Sequence, residues 1–315
     1  MHRRVLAFLL TALLAAGAVA ITAQTPTFRI GIDLATFGVT VVDKKGQYLA
    51  DLNAEDFEII EDGQKQTLKY FARGTDLENG PDMHVGLLFD TSGSMSEDIK
   101  LSRSAAIKFL NTLSEAKDMT LVDFDTEVRV AKYPQRDFPR MVERIRGRNP
   151  DGQTAMYDAM GVYLDGASDD EGRKILVLYT DGGDTHSTIS FGDLMTLIRA
   201  SDVTVYSVGF LEHSRGQIEE RSHLQQIAEA TGGQAFFPST MKDIEASYDK
   251  VVAQIRAQYS LAYSSTNTKQ DGAWRKVEIR VTKPELKGSR ILARRGYFAP
   301  YQEIPNPKSQ APNPK

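Results

Sequence analysis

The chain has 315 residues, of which 41% are hydrophobic and 25% are charged; these values exclude a collagenous, coiled-coil or wholly disordered chain. The formal net charge of −4 provides no basic field, so nucleic acid is not an expected partner. The sequence contains no cysteine, which excludes disulfides, thiolate metal sites, cysteine nucleophiles and the lipidated cysteine of a bacterial lipoprotein. The length predicts two compact units, or one large unit with additions.

The N-terminus has the pattern of a secretory signal peptide. Arg3 and Arg4 precede an uncharged apolar stretch at 5–16, and small residues at 18–20 supply a cleavage signature. An uncleaved anchor is the alternative, but the apolar stretch is shorter than the ~20 residues that a spanning helix needs. We therefore expect residues 1–20 to be removed, which leaves a mature net charge of −6 and no membrane span. The expected location is the periplasm or the cell exterior.

Two segments with a β pattern flank the middle of the chain. Apolar residues alternate within 28–42 and 57–70, and alternation returns over 259–298, with glycine-containing turns between the runs. Each segment has too few strands to bury a face well alone. We therefore predict that 25–79 and 259–302 pair into one accessory β-sandwich-like domain.

Between these flanks, over 83–258, apolar runs of strand length alternate with helical patterns. Strands separated by helices predict a parallel sheet that is covered on both faces. The continuous apolar run 175–178 is typical of a strand buried on both sides. The pattern ends with a helix predicted over 242–257. Beyond the second flank, the proline-rich tail at 303–315 is expected to be disordered.

A candidate metal site begins where the first strand of this middle unit ends. Asp90, Ser92 and Ser94 follow the apolar run 84–89 as an Asp-x-Ser-x-Ser motif. Ligand sites in open parallel sheets collect at the carboxyl ends of strands, and Gly93 can supply the bend that brings the three side chains together. All three offer hard oxygen, which suits Mg²⁺, Mn²⁺ or Ca²⁺ rather than a soft transition metal.

Two further residues are expected in the same crevice. Asp181 follows the buried strand at 175–178, and Thr154 lies in a turn-rich loop that opens a helix. Two aspartates and three hydroxyls balance a divalent cation without surplus negative charge, and such a cation can accept a carboxylate from outside. Asp184 and His186 are expected on the rim of the site.

These residues resemble the von Willebrand factor type A domain and its metal-ion-dependent adhesion site. Two flanking segments are similar to those of a bacterial exported subfamily, namely residues 52–66 and Arg294-Arg295-Gly296-Tyr297-Phe298. The resemblance implies a Rossmann-like, doubly wound, mostly parallel sheet over 83–258. It also implies a set of five metal-binding side chains, of which the hydroxyls bind directly and the aspartates bind directly or through water: Asp90, Ser92, Ser94, Thr154 and Asp181.

The resulting hypothesis is an exported binding module that grips an Asp or Glu carboxylate of a protein partner through a divalent cation, with Mg²⁺ the first choice and Mn²⁺ or Ca²⁺ as alternatives. We expect no enzyme, because the sequence lacks a nucleophile elbow, a His-Glu-x-x-His motif and a phosphate loop. Two alternatives remain open. One is an envelope scaffold in which the metal is structural, and the other is a hydrolase that uses Asp90 and Asp181 as acid and base.

Overall fold

The structure is a computed structural model that describes residues 34–76, 80–211 and 216–301. The expected signal peptide at 1–20 and the expected disordered tail at 303–315 lie outside the described residues. Within the described ranges, no helix has both the length and the apolar character needed to cross a membrane.

Fifteen strands and six α-helices are found in the described residues. The strands are β1 (Leu34–Val42), β2 (Tyr48–Leu49), β3 (Phe57–Glu61), β4 (Gln64–Gln66), β5 (Leu68–Ala72), β6 (Met83–Asp90), β7 (Asp118–Phe124), β8 (Val128–Pro134), β9 (Arg173–Thr180), β10 (Thr204–Gly209), β11 (Ala235–Phe236), β12 (Tyr259–Ser264), β13 (Trp274–Val281), β14 (Arg290–Leu292) and β15 (Gly296–Phe298). The helices are α1 (Ile99–Thr112), α2 (Phe138–Gly147), α3 (Met156–Ala167), α4 (Phe191–Ala200), α5 (Gln217–Thr231) and α6 (Met241–Ala257).

The middle of the chain forms a six-stranded sheet in the order β11-β10-β9-β6-β7-β8. Every neighbouring pair is parallel except β7 and β8, which form an antiparallel pair at one edge. Helices α1, α2 and α6 cover one face, and α3, α4 and α5 cover the other. The predicted doubly wound, mostly parallel sheet is therefore confirmed.

The alternation of side chains along the central strands explains why both faces are apolar. On β9, Ile175, Val177 and Tyr179 point into the core beneath α1 and α6, whereas Leu176 and Leu178 point to the opposite core. Successive side chains on a strand point to opposite faces. A strand between two helical layers must therefore be apolar at every position, as the uninterrupted run in the sequence indicated.

The two flanks of the chain form an accessory β-sandwich. One sheet has the order β14-β1-β12-β5, with β2 also paired to β1, and the other has the order β15-β13-β3-β4. Each sheet contains strands from both flanks, so neither flank could complete a sheet alone. The buried carboxylate of Glu61, on β3, connects the two sheets. It accepts hydrogen bonds from the hydroxyl of Tyr263 on β12, in the opposite sheet (2.7 Å), and from that of Tyr297 on β15, in its own sheet (2.8 Å). The predicted accessory domain is confirmed.

The sandwich sits beside the amino ends of the central strands. Arg294 connects the two units, because it donates to the carbonyls of Ser201, just before β10, and Thr36, on β1. A cleft of about 1020 Å³ separates the units here, and its walls include Lys174 near the start of β9 and Ser264 at the end of β12. This placement leaves the carboxyl edge of the central sheet outside the contact between the units.

Candidate metal centre

The predicted site is built around Asp90, the last residue of β6, which is completely buried. Its Oδ1 accepts the backbone N–H of Ser92 at 2.9 Å. Its Oδ2 accepts the hydroxyl of Thr180 at 2.6 Å, because β6 and β9 are neighbours and both end at this edge. The two bonds fix the orientation of the carboxylate toward the loop that follows β6.

A chain of hydroxyls extends from this loop to the second aspartate. The Oγ atoms of Ser92 and Ser94 are 3.0 Å apart, and Ser94 Oγ donates to Oδ1 of Asp181 at 2.9 Å. Ser92 and Asp181 are buried, while Ser94 is exposed. Four of the five residues that the sequence predicts for the site are thus brought together, from the ends of β6 and β9.

Thr154 reaches the same edge on the loop between α2 and α3. Gly93 N donates to the carbonyl of Gly152 at 3.1 Å, and Asp151 N donates to that of Thr91 at 2.9 Å, so this loop is bound directly to the serine loop. Thr154 itself is buried. Its backbone is bound to the loop after β9, because its carbonyl oxygen accepts the backbone N–H groups of Thr185 and His186 at 2.9 and 3.0 Å.

Three arginines around Asp123, which the sequence did not reveal, anchor the loop between α2 and α3 that contains Thr154. Asp123, near the end of β7, is 1% exposed and binds three guanidinium groups. Arg129 Nε and Arg148 Nε lie 2.9 and 2.8 Å from its Oδ2, and Arg144 Nε lies 2.6 Å from its Oδ1. Because Arg148 follows α2 directly, this contact anchors the start of the loop. Only the folding of β7, β8 and α2 into one cluster reveals it.

The rim residues have other partners. Asp184 accepts from the backbone N–H groups of Tyr157 (3.0 Å) and Ser187 (3.1 Å), so its carboxylate satisfies the N-terminus of α3. His186 is exposed, and its backbone N–H donates to the carbonyl of Thr154 at 3.0 Å. Both residues therefore support the loops, and neither side chain belongs to the hydroxyl chain.

The electrostatics of the site fit a bound divalent cation. Burial raises the pKa of Asp90 to about 6. Burial, and then the charge of Asp90, raise the pKa of Asp181 to about 7. Among the described residues, no lysine or arginine forms an ion pair with either carboxylate. Buried carboxylates are normally paired or bound to metal. A set of two carboxylates and hydroxyl oxygens suits a hard cation.

Several solved structures are similar to this chain in fold. The von Willebrand factor type A structure from Catenulispora acidiphila is 15% identical, with a TM-score of 0.48, and the match covers 86% of this chain and 74% of that one. The vWF domain of the type V pili tip protein Mfa5 from Porphyromonas gingivalis is 11% identical, with a TM-score of 0.46, over 56% of this chain and 95% of that one. Proximal thread matrix protein 1 from the mussel byssus, with a zinc-occupied MIDAS motif, is 19% identical, with a TM-score of 0.44, over 62% and 50%.

No curated protein matches the chain. The von Willebrand factor type A domain family matches residues 84–250. This range is more than half of the chain, and it begins at the second residue of β6 and ends within α6. It therefore contains the central sheet, apart from Met83, and every loop of the candidate site. The protein belongs to the von Willebrand factor type A domain family.

Proposed function

We propose that this protein is an exported, metal-dependent binding module of the adhesion type, which holds an acidic residue of a protein partner through a divalent cation. One observation carries the proposal. Two buried carboxylates, Asp90 and Asp181, are connected through Ser92 and Ser94 at the sheet edge, by the backbone N–H of Ser92 and the two serine hydroxyls, and have no cationic side chain as partner. A divalent cation, Mg²⁺ in the first instance, would balance their charge.

The five side chains would contribute two kinds of oxygen ligand to the cation, charged and neutral. Asp90 and Asp181 supply two negative charges, and the hydroxyls of Ser92, Ser94 and Thr154 supply neutral oxygen. A cation held by this set keeps enough electrophilic character to attract one more carboxylate. Because Ser94 is exposed, that attraction would act at the surface. The proposed cation would engage both aspartates, which leaves neither free as a general acid or base.

The arrangement of the two units is compatible with binding a large partner. The accessory sandwich contacts the amino side of the central sheet through Arg294, so it does not cover the loops at 90–94 and 181–187. With residues 1–20 acting as a signal peptide, the loops would face the periplasm or the medium.

Metal binding itself is tested first, by isothermal titration of the purified protein with Mg²⁺ and Mn²⁺. We expect one ion per chain, and loss of binding in Asp90→Asn and Asp181→Asn. Asp169→Asn is the matched control, because Asp169 is exposed and remote from this edge. Unchanged binding in both site variants would refute the assignment.

Partner binding is tested next, by retention of envelope and extracellular proteins on the immobilised chain with Mg²⁺ or EDTA. A partner that requires metal, Ser92 and Thr154 supports the proposal. The matched controls are Ser104→Ala and Thr196→Ala, two exposed helical hydroxyls whose only described bonds are to the carbonyls of Lys100 and Gly192. A partner that is retained by Thr154→Ala and in EDTA would support the scaffold alternative, in which the metal is structural.

A further inference from the structure

A second group of metal-ligating side chains lies at the opposite edge of the central sheet. His84, at the start of β6, faces Asp118, at the start of β7, in the register of the parallel pair. Asp170 approaches from the loop between α3 and β9. The Nδ1 atom of His84 is 3.0 Å from Asp118 Oδ1 and 3.7 Å from Asp170 Oδ1, and one ligand atom from each residue lies within 4.8 Å of the others.

The hydrogen bonding of His84 points to a cation in this group. The side chain is 5% exposed, and its Nε2 lies 3.0 Å from the carbonyl oxygen of Glu171, which can only accept. Nε2 must therefore carry a hydrogen, and in a neutral imidazole Nδ1 then carries a lone pair. Among the described residues, Nδ1 meets only carboxylate oxygens. A neutral histidine has no favourable partner there, so a cation must lie at Nδ1, either a proton or a metal ion.

The geometry is suited to a transition metal. A histidine that binds zinc usually donates its other ring N–H to a carbonyl or carboxylate, as Nε2 does to Glu171. Tetrahedral zinc separates nitrogen and oxygen ligands by about 3.3 Å, and the distances from Nδ1 to Asp118 and Asp170, 3.0 and 3.7 Å, lie on either side of this value. The imidazole ligand favours zinc over Mg²⁺ or Ca²⁺.

We propose that His84, Asp118 and Asp170 form a second metal site, which binds Zn²⁺. Three protein ligands leave the fourth position of tetrahedral zinc open. Asp170 and Glu171 also line the cleft between the central unit and the sandwich. The site is therefore independent of the proposed adhesion site, which lies at the other end of the same strands.

Lys132 on β8 competes with the metal. Its Nζ lies 2.6 Å from Asp170 Oδ1 and 3.4 Å from Asp118 Oδ2, so the ammonium now neutralises part of the carboxylate charge. The lysine side chain is 45% exposed and flexible, so it can move into solvent when zinc binds. Removing this charge should strengthen zinc binding, whereas removing a ligand should weaken it.

The test is titration of the full chain with Zn²⁺ in saturating Mg²⁺, in an Asp181→Asn background that disables the first site. We expect one Zn²⁺ per chain. Adding His84→Gln, or the isosteric Asp118→Asn, should weaken binding at least tenfold, and adding Lys132→Gln should strengthen it about fivefold. His186→Gln and Lys100→Gln, at exposed positions, are the matched controls and should leave the affinity unchanged.

Circular dichroism and thermal melting of each variant without metal establish that it is folded. If His84→Gln fails to fold, Asp118→Asn carries the test, since it removes a charge without changing the shape of the side chain. Absence of Zn²⁺ binding in the Asp181→Asn background would overturn the proposal. So would equal Zn²⁺ affinity with and without Asp118→Asn. In either case the cation at Nδ1 would be a proton, and the group would be an ion-pair network.

Discussion

The buried aspartate pair predicts that the metal-free protein loses stability as the pH rises. Folding raises the pKa of Asp90 to about 6 and that of Asp181 to about 7, from 3.8 in both cases. The folded state therefore binds these protons more tightly than the unfolded state does. By linkage, the free energy of unfolding falls with pH from about 4, where unfolded carboxyls ionise, up to the raised values.

The magnitude follows from the shifts. Each pKa unit corresponds to about 1.4 kcal/mol, so the shift of Asp90 alone costs about 3 kcal/mol at pH 8 relative to a pH below about 3, where the unfolded carboxyl is still protonated. A bound cation reverses this cost, since it stabilises the ionised form. With Mg²⁺ at about a hundred times its dissociation constant, linkage adds about 2.7 kcal/mol. In a domain of this size, that corresponds to a rise in the melting temperature of about 5–11 °C.

The same protons make metal binding pH-dependent. At pH 5 both carboxyls hold a proton that Mg²⁺ must release. The apparent affinity should therefore fall about a thousandfold from its value above pH 8, given that pH 5 lies about one unit below the pKa of Asp90 and about two units below that of Asp181. The thermal shift by Mg²⁺ should be large at pH 8 and absent at pH 5.

The assay is calorimetric or fluorimetric melting at pH 5, 6, 7 and 8, with Mg²⁺ or EDTA. Other groups also titrate, so the informative quantity is the difference between the wild type and Asp90→Asn at each pH, with Asp169→Asn as control. In EDTA, Asp90→Asn should be relatively more stable at pH 8 than at pH 5. A difference that is constant with pH, or an equal Mg²⁺ shift in the two proteins, would refute the reasoning.

Three further predictions concern packing and loop geometry. Gly86→Ala should lower the free energy of unfolding in urea by about 1–3 kcal/mol, because a Cβ there would overlap the ring of Tyr163. Adding Tyr163→Leu should recover part of this loss. If it recovers none, the overlap with Tyr163 is not the cause. Gly152→Ala should weaken Mg²⁺ binding in titration, because Gly152 has φ +73° and the added Cβ would lie 2.5 Å from Thr126 Oγ1. The control Gly166→Ala should leave Mg²⁺ binding unchanged, since a Cβ there meets nothing within 4 Å. Glu61→Ala should lower the free energy of unfolding by about 2–4 kcal/mol, because it leaves the hydroxyls of Tyr263 and Tyr297 unpaired between the sheets. The control is Glu58→Ala, which removes a surface ion pair with Lys65 and should cost less. Equal losses in the two variants would contradict this role of Glu61.

Local patterns in the sequence were sufficient for the architecture. The run 175–178 predicts a strand buried on both sides, and β9 is that strand, with side chains in both cores. Helical periodicity at 242–257 predicts the last helix, found as Met241–Ala257. The sequence also directs attention to Asp90 and Asp181, since carboxyl ends of neighbouring parallel strands meet at one edge whatever the details of packing.

Local sequence did not reveal the pairing partners of β1. Leu34–Val42 pairs with β12 along its first part and with β14 and β2 near its end. The partners of β1 lie more than 200 residues away for β12 and β14, so local sequence carries no information on where its pairing changes.

The tertiary structure alone decided which side chains meet. The arginines that bind Asp123 come from β8, α2 and the loop after α2, and no spacing pattern connects them. His84, Asp118 and Asp170 are likewise separated by more than 30 residues each, and they converge because parallel strands align their amino ends. Periodicity in sequence specifies which face of an element is buried, whereas the register and order of strands specify the neighbours of each polar group.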